Sequence, residues 1–562
     1  MLRSIFVIVV LCLSLHGFGE NMIIKNAKVF TVDSDQPFAE AINILDNRII
    51  QVGKNKEILK SVTPSTTVID AHGKLVLPGF NDAHLHFIGG GRTLLEVNLQ
   101  GKTSFVQITA ALLEAAQSNP KSEWLTGRGW DHTLFNNGEW PDKHMLDSII
   151  PDKPVFLRRV DGHVGWANSK ALALAKITRE TKDPKAGQIL RDARGETIGI
   201  LSESAMNLIM DIIPARSISH DQTAIEQALQ MAKQQGVTSI QDNSGINTIK
   251  YYHDLAVRNK LTVRVSEWLD FSEVAQPNKL QKQIEHYSKY EIDNLVHIGL
   301  LKGFVDGTLG SRTAYFSEPY ADDSTTSGIP QIAEDELYRL VSIADSLGLQ
   351  IGLHCIGEKA NNVTVTAYET VSRKSNSTDI RHRIEHAQVL RLQDIPRFAE
   401  WGIIASMQPT HCTTDLRWAE KRIGAERCQG AYAWKSLLES GAIVAFGTDW
   451  PVEPLNPMRG LYSAVTRQNI ETGHPEGGWF EKEKLTMEEA IYCYTMGSAI
   501  AEYKEDQKGS ITPGKLADLI ILSKDILTIP KEEILSTKVD MTLFNGNIIF
   551  TREGTDIQVH TP

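Results

Sequence analysis

Cysteine is scarce in this chain: 5 in 562 residues, with Cys12 inside an apolar leader-like start. The other four, Cys355, Cys412, Cys428 and Cys493, make no C-x-x-C pair, which argues against a cysteine-built zinc site. A Cys412–Cys428 bridge stays open on sequence alone. Positive charge is not in surplus. Lys and Arg number 58 against 69 Asp and Glu, a formal net charge of −11, and a chain without a basic excess is poorly suited to nucleic acid. There is no long low-complexity tract, and beyond the leader no apolar run reaches the length of a membrane-spanning helix. What remains is ordinary for a globular protein, 41% hydrophobic and 23% charged. The length suits roughly three to four average domains, or one large barrel with insertions.

The first residues do not belong to the fold. Arg3 precedes the apolar stretch Ile5 to Leu15, and Gly17, Phe18 and Gly19 follow at a small-residue cleavage point. This order is that of a signal peptide over residues 1–19, so an exported, periplasmic or secreted, protein without a stable membrane span is expected. Asn362-Val-Thr and Asn376-Ser-Thr fit the glycosylation acceptor pattern, which matters only in a eukaryotic secretory pathway.

Between residues 20 and 77 short β-rich runs alternate with Asn, Asp and Gly turns: Ala27 to Phe30, Ala41 to Ile44, Ile49 to Val52. Residues 508–562 look alike, with Ala517 to Leu522, Met541 to Phe544 and Asn547 to Phe550. Two β-rich ends suggest one small β-sandwich domain assembled from both termini. The middle, 78–507, alternates apolar strands (Val237 to Ile240, Thr262 to Val265, Val296 to Leu301, Leu349 to Leu353, Ile403 to Ser406, Ile443 to Phe446) with amphipathic stretches such as Ile225 to Gln234 and Glu334 to Ala344. Repeated strand–helix units predict a parallel sheet, open or closed. Residues from about 101 to 215, rich in Trp, break the rhythm and read as an insertion after the first barrel strand.

His84 and His86 stand two apart at the end of the run Leu75 to Leu85, and residues i and i+2 of a strand share a face. Neutral imidazole is a common zinc ligand, so a strand-borne His-x-His is half of a metal site. Further polar residues close or interrupt apolar strands in the order Lys302, His354, His386, Asp449. In a parallel barrel the C-terminal strand ends meet at one mouth, so residues far apart in sequence can converge there.

These motifs resemble the amidohydrolase superfamily, specifically amidohydrolase family 3, the branch related to N-substituted formamide deformylases. The resemblance rests on Pro78-Gly79-Phe80-Asn81-Asp82-Ala83-His84-Leu85-His86, Lys302 with Asp306 to Ala314, Arg383 to Gln388, Met407-Gln408-Pro409-Thr410-His411, Gly447 to Pro451, and Gly509 to Asp518. It spans nearly the whole mature chain. His354-Cys355-Ile356-Gly357-Glu358-Lys359 departs mildly, since Asp-Arg is more familiar than Glu358-Lys359. The resemblance implies an α/β fold: a distorted (β/α)8 TIM barrel with a small β-sandwich made by the two ends. It implies one or two divalent metals, usually Zn2+: His84 and His86 with Asp449 on the more buried ion, His354 and His386 on the second, and Lys302 bridging both as N6-carboxylysine.

Elementary electrostatics agrees with this. Deprotonating a free lysine near neutral pH costs about 4 kcal/mol, whereas neighbouring dications favour an anion in its place. A metal lowers the pKa of bound water to ~7, and Asp449 can take that proton and return it to a leaving amine. For substrate binding, the resemblance favours His163, in Asp161-Gly162-His163 of the insertion, although that tripeptide also reads as a structural turn. His411 is a similar candidate, and Trp450 could supply an apolar wall.

The expected activity is hydrolysis of a non-peptide C–N bond in a small amide, formamide or cyclic amide. An ester hydrolase or ring deaminase could use the same metal site. A non-catalytic exported binding protein on a degenerate hydrolase scaffold would have no use for a carbamylated lysine. Oligomeric state stays open, a homo-oligomer included.

Overall fold

The computed structural model describes residues 21–561 apart from 119, 121, 137, 160–163, 185–186, 215–217 and 376–378. The expected signal peptide therefore lies outside the described residues, as do Asp161, Gly162, His163 and Asn376. Among the described residues no helix is long and apolar enough to cross a membrane.

Eight strands form the central sheet in chain order: β1 (Phe80–Leu85), β2 (Val237–Asp242), β3 (Arg264–Asp270), β4 (Val296–Phe304), β5 (Ile351–Cys355), β6 (Arg383–His386), β7 (Ile404–Met407) and β8 (Val444–Phe446). Each pairs in parallel with the next. Helices follow the strands and bury one face on the barrel. Ile218–Gln234, for example, buries Ala224, Ile225, Ala228, Leu229 and Ala232, the spacing of a single helical face. The sheet is nearly closed, because β8 and β1 meet at their C-terminal ends without a full ladder. The Asp449 amide donates to the His84 carbonyl at 2.7 Å, and the His86 amide to the Trp450 carbonyl at 2.7 Å. The Asp82 carboxylate ties the seam by accepting from the Thr448 amide (2.9 Å) and hydroxyl (2.6 Å). Gly447 permits this approach, since a Cβ there would lie 2.5 Å from the His84 nitrogen.

Both chain ends enter two further sheets. In one, Leu75–Pro78 lies between Lys28–Phe30 and Leu519–Leu522; in the other, Thr67–Asp70 pairs with Asn21–Lys25 and Gln558–His560. Val76 packs with Ile24, Ile42 and Ile521 between these sheets, whereas Leu75 and Leu77 point into the barrel core. Strand alternation thus serves two cores at once, which explains the unbroken apolar run before Gly79.

A third extra sheet, of six strands, lies between β1 and β2, running from Val97–Asn98 to Thr197–Glu203. Its first strand, Val97–Asn98, is two residues long and has no period to read in sequence. Trp130 and Trp166 are packing residues: Trp130 donates to the Leu157 carbonyl at 2.8 Å and Trp166 to that of Asp142 at 2.9 Å. Cys355, Cys412, Cys428 and Cys493 are free, buried thiols, so the Cys412–Cys428 bridge is not formed.

Candidate metal centre

The C-terminal ends of β1, β4, β5, β6 and β8 gather His84, Lys302, His354, His386 and, three residues beyond β8, Asp449. His86 stands at the N-cap position of the helix Phe87–Leu94 that follows β1, with its side chain not engaged in capping. The donor atoms of His84, His86 and Asp449 all lie within 4.8 Å of one another, as do those of His386, His411 and Asp449. His354 belongs to neither group, but its ring centroid is 4.5 Å from that of His386. His386 and Asp449 have φ of +74° and +56°, a strained region for non-glycine residues that tends to occur at functional sites.

His84, His86, His354 and His386 each have their tautomer set by an acceptor. His84 Nδ1 donates to Glu385 Oε2 at 2.6 Å, and a carboxylate can only accept. His86 Nδ1 donates to the Asn243 carbonyl at 2.9 Å, and His386 Nδ1 to Gln408 Oε1 at 2.7 Å. Nε2 of each keeps its lone pair. His354 is reversed: Nε2 donates to the Gly307 carbonyl at 3.0 Å, so Nδ1 is the free donor atom. The Asp306-Gly307 motif serves this contact. The buried Asp306 carboxylate accepts from the amides of Tyr315 (2.8 Å), Ile356 (3.0 Å) and Gly357 (2.8 Å), clamping the loops after β4 and β5 together.

Burial and charge keep the imidazoles mostly neutral. Burial, aided by the Lys302 charge, lowers His84, takes His354 down to about 3, and holds His386 well below its ordinary value, where His354 and His84 add to the effect. His86 is the exception: burial lowers it, but Asp449 outweighs burial and raises it. Burial would raise Asp449, yet His86, His84, His386 and His411 hold it far below the usual carboxylate range. Burial brings the Lys302 ammonium down to about 8, against the pull of Glu385 and Asp449.

Three buried polar atoms here have no hydrogen-bond partner: Lys302 Nζ, Asp449 Oδ1 and His411 Nε2. His86 Nε2 approaches Asp449 Oδ1 to 3.3 Å and His411 Nε2 approaches Asp449 Oδ2 to 3.7 Å, but neither contact is a hydrogen bond. Buried polar atoms are nearly always satisfied. Converging lone pairs with the opposite ring nitrogens tied back are the arrangement a metal requires, so the residues present fit one.

Trp450, considered above as a substrate wall, is only 5% exposed. Its indole covers Gly90, where a Cβ would fall 2.2 Å from the ring, and meets Phe87 at 5.8 Å between centroids. The contacts seen are packing contacts. Sequence reading passed over Glu385, which accepts from Arg383 (2.8 and 3.1 Å) as well as from His84. Its one local signal is a charged Arg-x-Glu pair sharing a face of an otherwise buried strand.

A parallel barrel with such a mouth places the protein among metal-dependent barrel hydrolases. The chain belongs to the amidohydrolase family, whose sequence pattern matches residues 67–550. It is similar to protein LONG AFTER FAR-RED 3 of Arabidopsis thaliana, 32% identical over 525 residues that cover 90% of this chain and 88% of that one. It is 25% identical to the N-substituted formamide deformylase of Arthrobacter pascens, covering 95% and 99%. Among solved structures, an uncharacterized metal-dependent hydrolase from Pyrococcus horikoshii aligns with a TM-score of 0.74 and 29% identity over 91% of this chain and 99% of that one.

Proposed function

We propose that the protein hydrolyses a non-peptide C–N bond of a small amide, with formamides as the first substrates to try. The observation that carries this reading is the unpartnered, buried Lys302 Nζ among imidazoles whose outer nitrogens are all tied back. His84, His86 and Asp449 would hold one divalent ion, zinc being the expected one, and His354 and His386 a second. A cation bound there would acidify a water and polarise the substrate carbonyl.

Lys302 would join the two ligand sets as N6-carboxylysine. A pKa near 8 leaves an appreciable neutral fraction; the neutral amine attacks carbon dioxide, an N–C bond forms and one proton leaves. Asp449, ionised and beside the donor cluster, takes the proton from the attacking water and delivers it to the departing nitrogen. His411 Nε2, unpartnered at the same mouth, supports a substrate-orienting role. The similarity to a formamide deformylase favours C–N over ester cleavage.

Metal analysis after gentle purification, with a screen of N-substituted formamides, N-acyl amino acids, cyclic amides and esters, tests the proposal. Bound zinc, manganese or iron and C–N hydrolysis are expected. No bound metal, and no hydrolysis after adding metals plus bicarbonate, would sink it. Lys302→Ala should lose the second ion; full occupancy in that variant refutes the bridging role.

A further inference from the structure

Next to the donor cluster lies a cavity of about 390 Å³ between the ends of β2, β3 and β4 and the helix Glu334–Ser346. Its apolar wall is made by Trp268, Leu269, Phe271, Phe304, Ile332 and Leu340, and Asn243, Ser272 and Gln331 add uncharged polar lining. Lys302 also lines it and connects it to the candidate metal centre. Most of these walls are buried core, but Phe304, the last residue of β4, is 51% exposed. Its ring centroid is 4.4 Å from Lys302 Nζ and 5.3 Å from the His354 ring. A half-bare aromatic at the reacting end of a barrel strand is an apolar surface facing the place where substrate must sit.

Charge narrows what can enter. Apart from Lys302, Asp270 is the one ionisable side chain among the described residues lining the cavity, and its carboxylate accepts from the Ser272 amide at 2.7 Å. Among the described residues no arginine or second lysine lines the cavity to meet an anionic tail. An engineered cavity of ~150 Å³ accommodates benzene, so the space here admits a ring and a short linker.

We infer that this cavity is a substrate subsite for an uncharged aryl or branched-alkyl substituent, an inference that rests on the amide-hydrolase reading and deepens it. Acids such as N-acyl amino acids would be poor substrates, because their carboxylate would face the Asp270 carboxylate with no arginine among the described lining residues to balance it.

Two measurements test this and separate its failure from that of the proposed activity. Benzyl alcohol, titrated into the purified full-length protein and followed by saturation-transfer NMR, should bind, and at least tenfold more weakly to Ile332→Trp, which fills the cavity. With metal-loaded enzyme, kcat/KM for N-(cyclohexylmethyl)formamide should exceed that for N-formylglycine at least tenfold, and Phe304→Ala should cut this ratio at least fivefold. Benzyl alcohol binding that is absent or unchanged in Ile332→Trp, preference for N-formylglycine, or a ratio unmoved by Phe304→Ala overturns the subsite. If no formamide is cleaved but benzyl alcohol binding holds and responds to Ile332→Trp, the apolar site stands and the proposed activity falls.

Discussion

Two lysines are buried in the same barrel, one near each end. Lys508, at the N-terminal end, is 6% exposed and Lys302, at the mouth, 3%. Lys508 Nζ sits 2.8 Å from Glu502 Oε1 and donates to Ser239 Oγ at 2.8 Å. Glu502 in turn accepts from Asn81 Nδ2 at 2.7 Å and faces His297 Nε2 at 3.5 Å. Lys302 Nζ has no hydrogen-bond partner. Burial lowers the ammonium pKa of both, so desolvation alone does not distinguish them. Pairing does. A buried charge is tolerable when paired, and an unpaired one must neutralise, be modified or meet a ligand. The base of the barrel spends its polar residues on stitching, and the mouth leaves them open for chemistry.

Exchanging each lysine for methionine tests this contrast. Lys302→Met should lower turnover by about 10³-fold, the several kcal/mol that metal charge stabilisation supplies, without destabilising the metal-free protein, since an unpaired amine gives way to an apolar chain of similar length. Calorimetry of the stripped protein beside steady-state kinetics reads both effects; a thermal midpoint that falls with turnover would mean Lys302 is structural. The base should behave in the opposite way. Lys508→Met leaves the Glu502 carboxylate uncompensated and should cost about 3 kcal/mol of stability, with turnover per folded molecule within about twofold of wild type. Urea unfolding and active-site titration check it, and a variant as stable as wild type would erase the distinction between the two ends.

The barrel was legible because its strands are apolar and its helices periodic. Where a strand carries buried polar residues the signal fades. β3 continues through Ser266 and Glu267 to Asp270, beyond the run ending at Val265, and opens with Arg264, whose guanidinium pairs with Asp518 at 2.6 and 2.9 Å across the junction with the terminal sheets. Polarity there serves long-range pairing that no local window contains. The mouth divides the same way. His84, His354 and Asp449 stand out as polar breaks after apolar runs and His86 by its two-residue spacing from His84, whereas His386 closes the mixed run Arg383-Ile384-Glu385 and is found through its motif. Glu385 does not stand out, because its imidazole partner is 301 residues away. His411 reads as a substrate-contact candidate after β7, and folding sets it beside Asp449. The two β-rich ends suggest their own pairing, but its register has no local signal until Val76 meets Ile521.

Glu385 also gives the smallest and most discriminating test, because it joins the two regimes: Arg383, saturated by Glu385, Gln241, the Ala83 carbonyl and Ser406, lies on one side, and His84 on the other. Removing a carboxylate behind a metal-bound histidine typically costs 10–100-fold in metal affinity, so Glu385→Gln should weaken zinc binding by about that factor in a chelator competition. The variant should also change the acid limb of stability. Burial would raise Glu385, but Arg383 and His84 bring it from 4.5 down to about 2. A folded-state pKa below the unfolded one means that the ionised carboxylate stabilises the fold fully above about pH 4.5, and that this contribution is lost as pH falls toward and through 2. Wild-type stability should therefore decline across that window, while Glu385→Gln, with nothing to protonate, should begin lower and lack that part of the slope. Weakened zinc binding with an unchanged acid limb would place Glu385 with the open mouth alone. A flattened limb with unchanged zinc affinity would place it with the stitched interior alone. Both effects together are expected of a residue that holds the reactive end of the barrel to the inert one.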